Sequence, residues 1–495
     1  MPDRHDPLPG SVPSPSAAPP QRLTASTPRR IVVISAGVGA GHDGAAAGLA
    51  DRLTAHGFLV DRHDFLDLLP APAGRLLRGT YRRLLTWAPT GYQRLYAATE
   101  HAARPGLVWR ALLRSAERRT LRTLTPDTWA VVSTYPGASQ VLGALRRRGL
   151  LTVPACTYLT DFSVHALWVA PGVDAHLAVH AIPALQAHAR GAAGVTVAGP
   201  VTDPRFTPAD GRRPAARARH GLPEHASLAL LVAGSWGVGA VRRAAAEIRD
   251  AQVAVPVVVC GRNQALVEQL RRDGIEYAFG WVDDMPGLMH ACDVLVQNAG
   301  GLTSLEAFAA GLPVASYRCI PGHGRTNAEA LEEAGLAAWI RRPEDLGPVL
   351  GELLHGPRGR AQRTAGLALH RSGPGPVPAI AARFGRTPAP AAPLPTAGHP
   401  VGARSSRTWR GPGDAPSRTP RRAGDAPSSG TKVRRPGDAP SGTTVRRPGR
   451  RRFALAATVA VATFSLGVAA PLAYAYAEAP ARFTAVAHYL DGDRR

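Results

Sequence analysis

Three short stretches of the sequence concentrate the residue types that handle charged or sugar-like ligands. Residues 35–42 read Ser-Ala-Gly-Val-Gly-Ala-Gly-His. Their glycines let backbone approach a ligand, and a helix beginning there would favour negative charge at its N-terminus. His42 closes the stretch with an imidazole whose ordinary pKa suits general-base work, although a helix cap or a solvated side chain reads the same way. The second stretch, Gly234-Ser235-Trp236-Gly237-Val238-Gly239, is another backbone cradle suited to a phosphate. The third, residues 298–306, reads Asn-Ala-Gly-Gly-Leu-Thr-Ser-Leu-Glu. Thr303 and Glu306 have the spacing of a capping box, each satisfying the other's backbone amide. The same Glu306 carboxylate would accept both hydroxyls of a ribose diol, and spacing leaves the two readings open.

Each stretch follows an apolar run and opens a helical pattern, so strands and helices must position it. From residue 30 to about 354 the two alternate, which predicts an α/β architecture. Strands are expected at 31–35, 58–62, 129–133, 153–158, 176–180 and 195–197, and again at 228–232, 256–260, 275–279, 294–297 and 313–316. The expected organisation is a disordered leader at 1–29, a doubly wound domain at 30–203, a polar linker at 204–226 and a second doubly wound domain at 227–355. A terminal helix at 356–372 would follow. The dinucleotide fingerprint requires glycine where His42 stands. Asp61 nevertheless sits where a dinucleotide's ribose partner would, which keeps a nicotinamide-dependent oxidoreductase as an alternative.

Composition narrows the classes further. The chain has 495 residues, 45% of them apolar, enough to bury more than one core. Its cysteines, Cys156, Cys260, Cys292 and Cys319, form no Cys-x-x-Cys pair, which excludes a disulfide scaffold and fits a reducing compartment. The net charge of +23 is uneven: residues 356–452 carry +17 and residues 72–122 carry +9. A uniformly basic nucleic-acid binder is therefore excluded, and no specific nucleic-acid partner is expected. Residues 373–452, with Gly-Asp-Ala-Pro-Ser starting at Gly413, Gly424 and Gly437, read as a disordered basic tail. Residues 453–477 contain no charge and follow a cluster of arginines. That pattern predicts a single transmembrane helix, the larger part on the cytoplasmic face and 478–495 as a short extracytoplasmic tail. An export-like signal placed at the wrong end is the other reading of this segment.

Six segments together carry a family resemblance: 35–42 (SAGVGAGH), 160–168 (TDFSVHALW), Gly199-Pro200-Val201, 260–263 (CGRN), 280–285 (GWVDDM) and 300–313 (GGLTSLEAFAAGLP). Over residues 31–354 the chain resembles the monogalactosyldiacylglycerol synthases and the related processive diacylglycerol glycosyltransferases. The resemblance implies a GT-B fold, two Rossmann-like domains facing a cleft. It also implies inverting hexosyl transfer from a UDP-sugar to diacylglycerol or a related lipid, with no cofactor and no metal. By matching position His42 would be the general base, and Gly41, Asp161 and His165 would lie on the acceptor side. Glu306 would take the ribose, the backbone at Trp281 and Val282 the uracil edge, and Ser235 with Gly300, Gly301, Leu302 and Thr303 the diphosphate. Gly234, Gly261, Arg262, Met285 and His323 complete the expected donor side.

One departure stands out. The family's Pro-Gly-Gln-Glu is Pro321-Gly322-His323-Gly324 here, in the segment expected to contact the hexose. A catalytically impaired nucleotide-sugar-binding protein is thus a further alternative. Finally, Arg75, Arg78, Arg82, Arg83 and Trp87 lie among leucines and tyrosines, which suggests docking on an anionic membrane surface. An ordinary solvated helix face would give the same pattern.

Overall fold

A computed structural model describes residues 29–101 and 106–385 of the chain. The expected transmembrane segment at 453–477, nearly all of the leader and most of the basic tail lie outside the described residues. Among those described, no helix is long and apolar enough to cross a membrane.

Two six-stranded sheets, all pairs parallel, organise the fold. The first contains β1 (Arg30–Ser35), β2 (Leu59–Asp64), β3 (Thr128–Ser133), β4 (Ala155–Tyr158), β5 (Ala175–Ala178) and β6 (Val195–Val197), in the order β2-β1-β3-β4-β5-β6. The second contains β7 (Leu228–Val232), β8 (Val255–Val259), β9 (Tyr277–Phe279), β10 (Val294–Gln297), β11 (Val314–Tyr317) and β12 (Ala338–Ile340), in the order β12-β11-β10-β7-β8-β9. The α/β expectation of two doubly wound sheets is met. The central strands are short, largely apolar runs because both faces are covered, as parallel sheets require. Alternation along β1 shows this directly. Ile31 and Val33 pack with Leu49 and Leu53 of the helix Ala40–Ala55, while Val32 and Ile34 pack with Phe65 and Leu142 on the other face.

Strand order also says where ligands can enter. In the first sheet the chain leaves β1 for β2 on one side and returns to β3 on the other, which opens a crevice at the C-terminal end of β1. In the second sheet the same reversal separates β7 from β10. The three glycine-bearing stretches lie at these two switch points.

Three expectations need correction. The presumed linker at 204–226 holds the helix Arg213–Arg219, in which Arg217 is buried and bonds the Ala291 carbonyl at 2.9 Å and Asp293 at 2.8 Å. Its polar composition reflects a buried ion pair rather than a loose connection. The presumed tail from 373 begins with a folded helix, Pro376–Phe384, whose Val377 and Ile380 are buried in the core. Edge strand β12, Ala-Trp-Ile, has no counterpart among the expected strands.

Candidate active site

The first half of the site is built around the end of β1. Asp64 at the end of β2 accepts the Gly37 N–H at 3.2 Å and pairs with Arg78 at 2.8 Å, which fixes the glycine turn. Burial holds the Asp64 carboxyl above the usual range. Gly41 and His42 lie in the first turn of the helix Ala40–Ala55. His42 is half-buried, with its Nδ1 2.8 Å from the Thr160 Oγ1 and its carbonyl accepting from the Thr134 hydroxyl at 3.2 Å. Its ring meets Tyr135 edge-on at 5.5 Å and the tilted Trp168 ring at 5.8 Å. The Asp161 carboxylate accepts from the Trp168 indole at 3.0 Å. His165 sits further along, its Nε2 3.2 Å from Glu100, and burial pulls its pKa down. Asp61, the ribose partner required by an oxidoreductase, is paired with Arg30 at 2.9 Å.

The second half surrounds the reversal between β7 and β10. Gly261 has φ +59°, and a side chain there would lie 2.4 Å from the Gly234 carbonyl, so only glycine lets the two loops stack. The Arg262 N–H donates to the Ser235 carbonyl at 2.9 Å, and the Arg262 guanidinium lies 4.8 Å from the centre of the exposed Trp281 ring. Val282 and Met285 pack their half-buried side chains against the core. Gly300, at φ +70°, turns the chain into the helix Leu302–Ala309 beside Asn327.

The capping-box reading does not hold. Gly301 is the N-cap and lacks a capping side chain, which leaves Thr303 one residue inside the helix. The Leu302 and Thr303 N–H groups at its start have no intrahelical acceptor, while the Ser304 N–H donates to the Gly301 carbonyl at 3.0 Å. Glu306 lies deeper still, and burial, aided by the negative charge of Asp203, pushes its carboxyl up to about 8. Below that value the carboxyl keeps its proton, and its ionised form is the one that accepts both hydroxyls of a diol.

Contacts between the halves bring these loops together. A side chain at Gly44, on the His42 helix, would overlap Leu302. The Asn327 amide is fully buried; it accepts from the Ser163 N–H at 2.8 Å and donates to the Ala299 carbonyl at 3.0 Å. Tyr92 and Tyr96, on the helix Pro89–His101, reach His323 at 3.1 Å and Thr326 at 3.3 Å. His323 is held below its ordinary pKa by burial.

These contacts overturn part of the basic-patch reading. Arg78 turns inward to Asp64, and Tyr92 and Tyr96 face the second domain because an amphipathic stripe does not specify what it faces. Arg75, Arg82 and Arg83 are exposed, with Leu76 beside them. The Trp87 side chain lies outside the described residues. In the sequence Thr160 and Trp168 are marked only as members of the segment 160–168, and Tyr92 only as one of the tyrosines of the basic stretch.

Residues 42–198 match the family model described as monogalactosyldiacylglycerol (MGDG) synthase, and residues 230–355 the one described as glycosyl transferases group 1. A processive diacylglycerol beta-glucosyltransferase of Bacillus pumilus is 26% identical over 335 residues, covering 65% of this chain and 85% of that protein. Its namesake in Bacillus subtilis is 29% identical over 225 residues, covering 44% and 58%. Among solved structures, MurG of Acinetobacter baumannii is similar at 15% identity and TM-score 0.42, over 72% of this chain and 98% of that one. Sucrose-phosphate synthase of Thermosynechococcus elongatus is similar at 13% and 0.46, over 69% and 95%.

Proposed function

The chain belongs to the family of monogalactosyldiacylglycerol synthases and processive diacylglycerol glycosyltransferases, and from that premise we propose that it is an inverting GT-B hexosyltransferase. It moves a hexose from a UDP-sugar to diacylglycerol or a related lipid. The observation that carries this reading is the pairing of the two switch points. One offers the His42 imidazole, and the other an N-terminal helix turn with a half-buried carboxyl, Glu306.

In this mechanism His42 Nε2 takes the proton of the acceptor hydroxyl as its oxygen attacks the anomeric carbon. The bond from that carbon to the diphosphate oxygen breaks, and the electron pair leaves with UDP. The backbone amides at Gly301, Leu302 and Thr303 and the Gly234–Ser235 turn stabilise the growing negative charge. Glu306 accepts the ribose hydroxyls, the Trp281–Val282 backbone meets the uracil, and His323 faces the hexose. Exposed Arg75, Arg82 and Arg83 bring the acceptor side to an anionic membrane surface, and residues 453–477 anchor the protein at its cytoplasmic face.

The full-length protein supplied with individual UDP-hexoses and diacylglycerol vesicles tests the reading. Hexosyl-diacylglycerol, identified by mass spectrometry, is the expected product. Tight UDP binding without any lipid product would instead support a binding protein.

A further inference from the structure

The contacts around His42 contain a feature that the proposed reaction requires. An imidazole acts as a base only if the nitrogen facing the substrate is unprotonated, so something must hold the proton on the other nitrogen. In many sites that partner is a carboxylate, which also stabilises the imidazolium. Here Asp161, next to Thr160, is engaged with the Trp168 indole at 3.0 Å, and Asp43, next to His42, accepts from the Ser35 hydroxyl. The atom facing His42 Nδ1 is the hydroxyl oxygen of Thr160, at 2.8 Å, on a side chain that is 7% exposed.

We propose that Thr160 is the positioning residue of the general base: its Oγ1 accepts the Nδ1–H of His42 and thereby leaves Nε2 free to take the acceptor proton. The inference rests on the glycosyltransferase reading and on His42 as its base. Three other contacts make the arrangement rigid. The Thr134 hydroxyl bonds the His42 carbonyl, and the rings of Tyr135 and Trp168 confine the imidazole from two sides. Asp161 acts one step further out, by fixing Trp168. Because Thr160 is neutral, it orients the imidazole without adding a charge beside it.

Three full-length variants separate this role from simple packing. Thr160→Val keeps the shape and removes the oxygen; it is expected to lower kcat by about tenfold to a hundredfold with KM for the UDP-sugar nearly unchanged. Thr160→Ser restores the oxygen and recovers most of the loss. Thr160→Asp places a carboxylate on Nδ1, so the acid limb of its pH–kcat profile moves to higher pH than in the natural protein. Nitrogen NMR of histidine-labelled protein, with the His42 signal assigned through His42→Ala, reads the same claim without turnover. It should find the proton on Nδ1 in the natural protein and a loss of that preference in Thr160→Val. A natural protein with the proton on Nε2, or a Thr160→Val variant with unchanged tautomer and kcat, overturns the proposal. If His42→Ala itself keeps full turnover, the base assignment fails instead, and the tautomer measurement still decides what Thr160 does.

Discussion

Glu306 is where the chemistry of single residues is most exposed to test. Its carboxyl is ordinarily near 4.5 and is pushed up to about 8 by burial and by Asp203. A group whose pKa is higher in the folded chain adds stability below its unfolded value, and this is lost as pH rises toward its folded value. Glu306→Gln should therefore raise the melting temperature of the ligand-free protein at pH 8 and leave it nearly unchanged at pH 4.5; equal effects at both would contradict the shift. A ribose diol donates two hydrogen bonds to the ionised form, so UDP binding should release protons near pH 7 and tighten as pH rises toward 8. Calorimetry in buffers of different ionisation enthalpy measures that release. Since hydrogen bonds to a charged group contribute about 1.5–3 kcal/mol, the same variant should bind UDP about tenfold to a hundredfold more weakly. His42→Ala makes the opposite division: turnover falls at least about a hundredfold while UDP affinity barely moves.

Apolar runs make the innermost strands of the second sheet legible in the sequence. β7 is an uninterrupted apolar run and β10 is one up to its closing Gln297, because both of their faces are covered, and their ends coincide with the expected residues 228–232 and 294–297. β12 left no such run in the sequence, although its Ala338 and Ile340 are buried. The helix Pro376–Phe384 was hidden by its composition: Pro376 sits in the first turn, where a missing N–H costs nothing, yet in sequence it reads as tail. The aromatic residues of the Pro89–His101 helix were legible as a stripe, but only tertiary contact shows that the stripe faces His323 and Thr326. Ile380 is fully buried, so Ile380→Ala should cost about 2–4 kcal/mol in denaturant unfolding. A chain ending at residue 372 should melt below one ending at 385, and identical melting would mean that the helix contributes no stability.

At the scale of the molecule, charge and connectivity carry separate consequences. A chain ending at 385 keeps Arg75, Arg82 and Arg83 and loses the basic tail and the apolar segment. It should still bind anionic vesicles, release as salt rises through the screening range, and lose binding when those three arginines become glutamine. Binding abolished by the truncation alone would assign membrane contact to the C-terminal part. Connectivity concerns the passage between the two sheets. The chain crosses once after β6 and returns after the helix Pro357–Arg371, and the crossings run side by side: a side chain at Gly199 would lie 3.1 Å from the Ser372 carbonyl, and Thr202 meets His370 at 3.5 Å. Two straps laid together behave as a door hinge with two leaves, yielding to flexing about one line and resisting twist. Opening of the cleft is therefore expected about that one line, and in the proposed reaction it would carry the UDP-sugar side and the lipid side along a single arc.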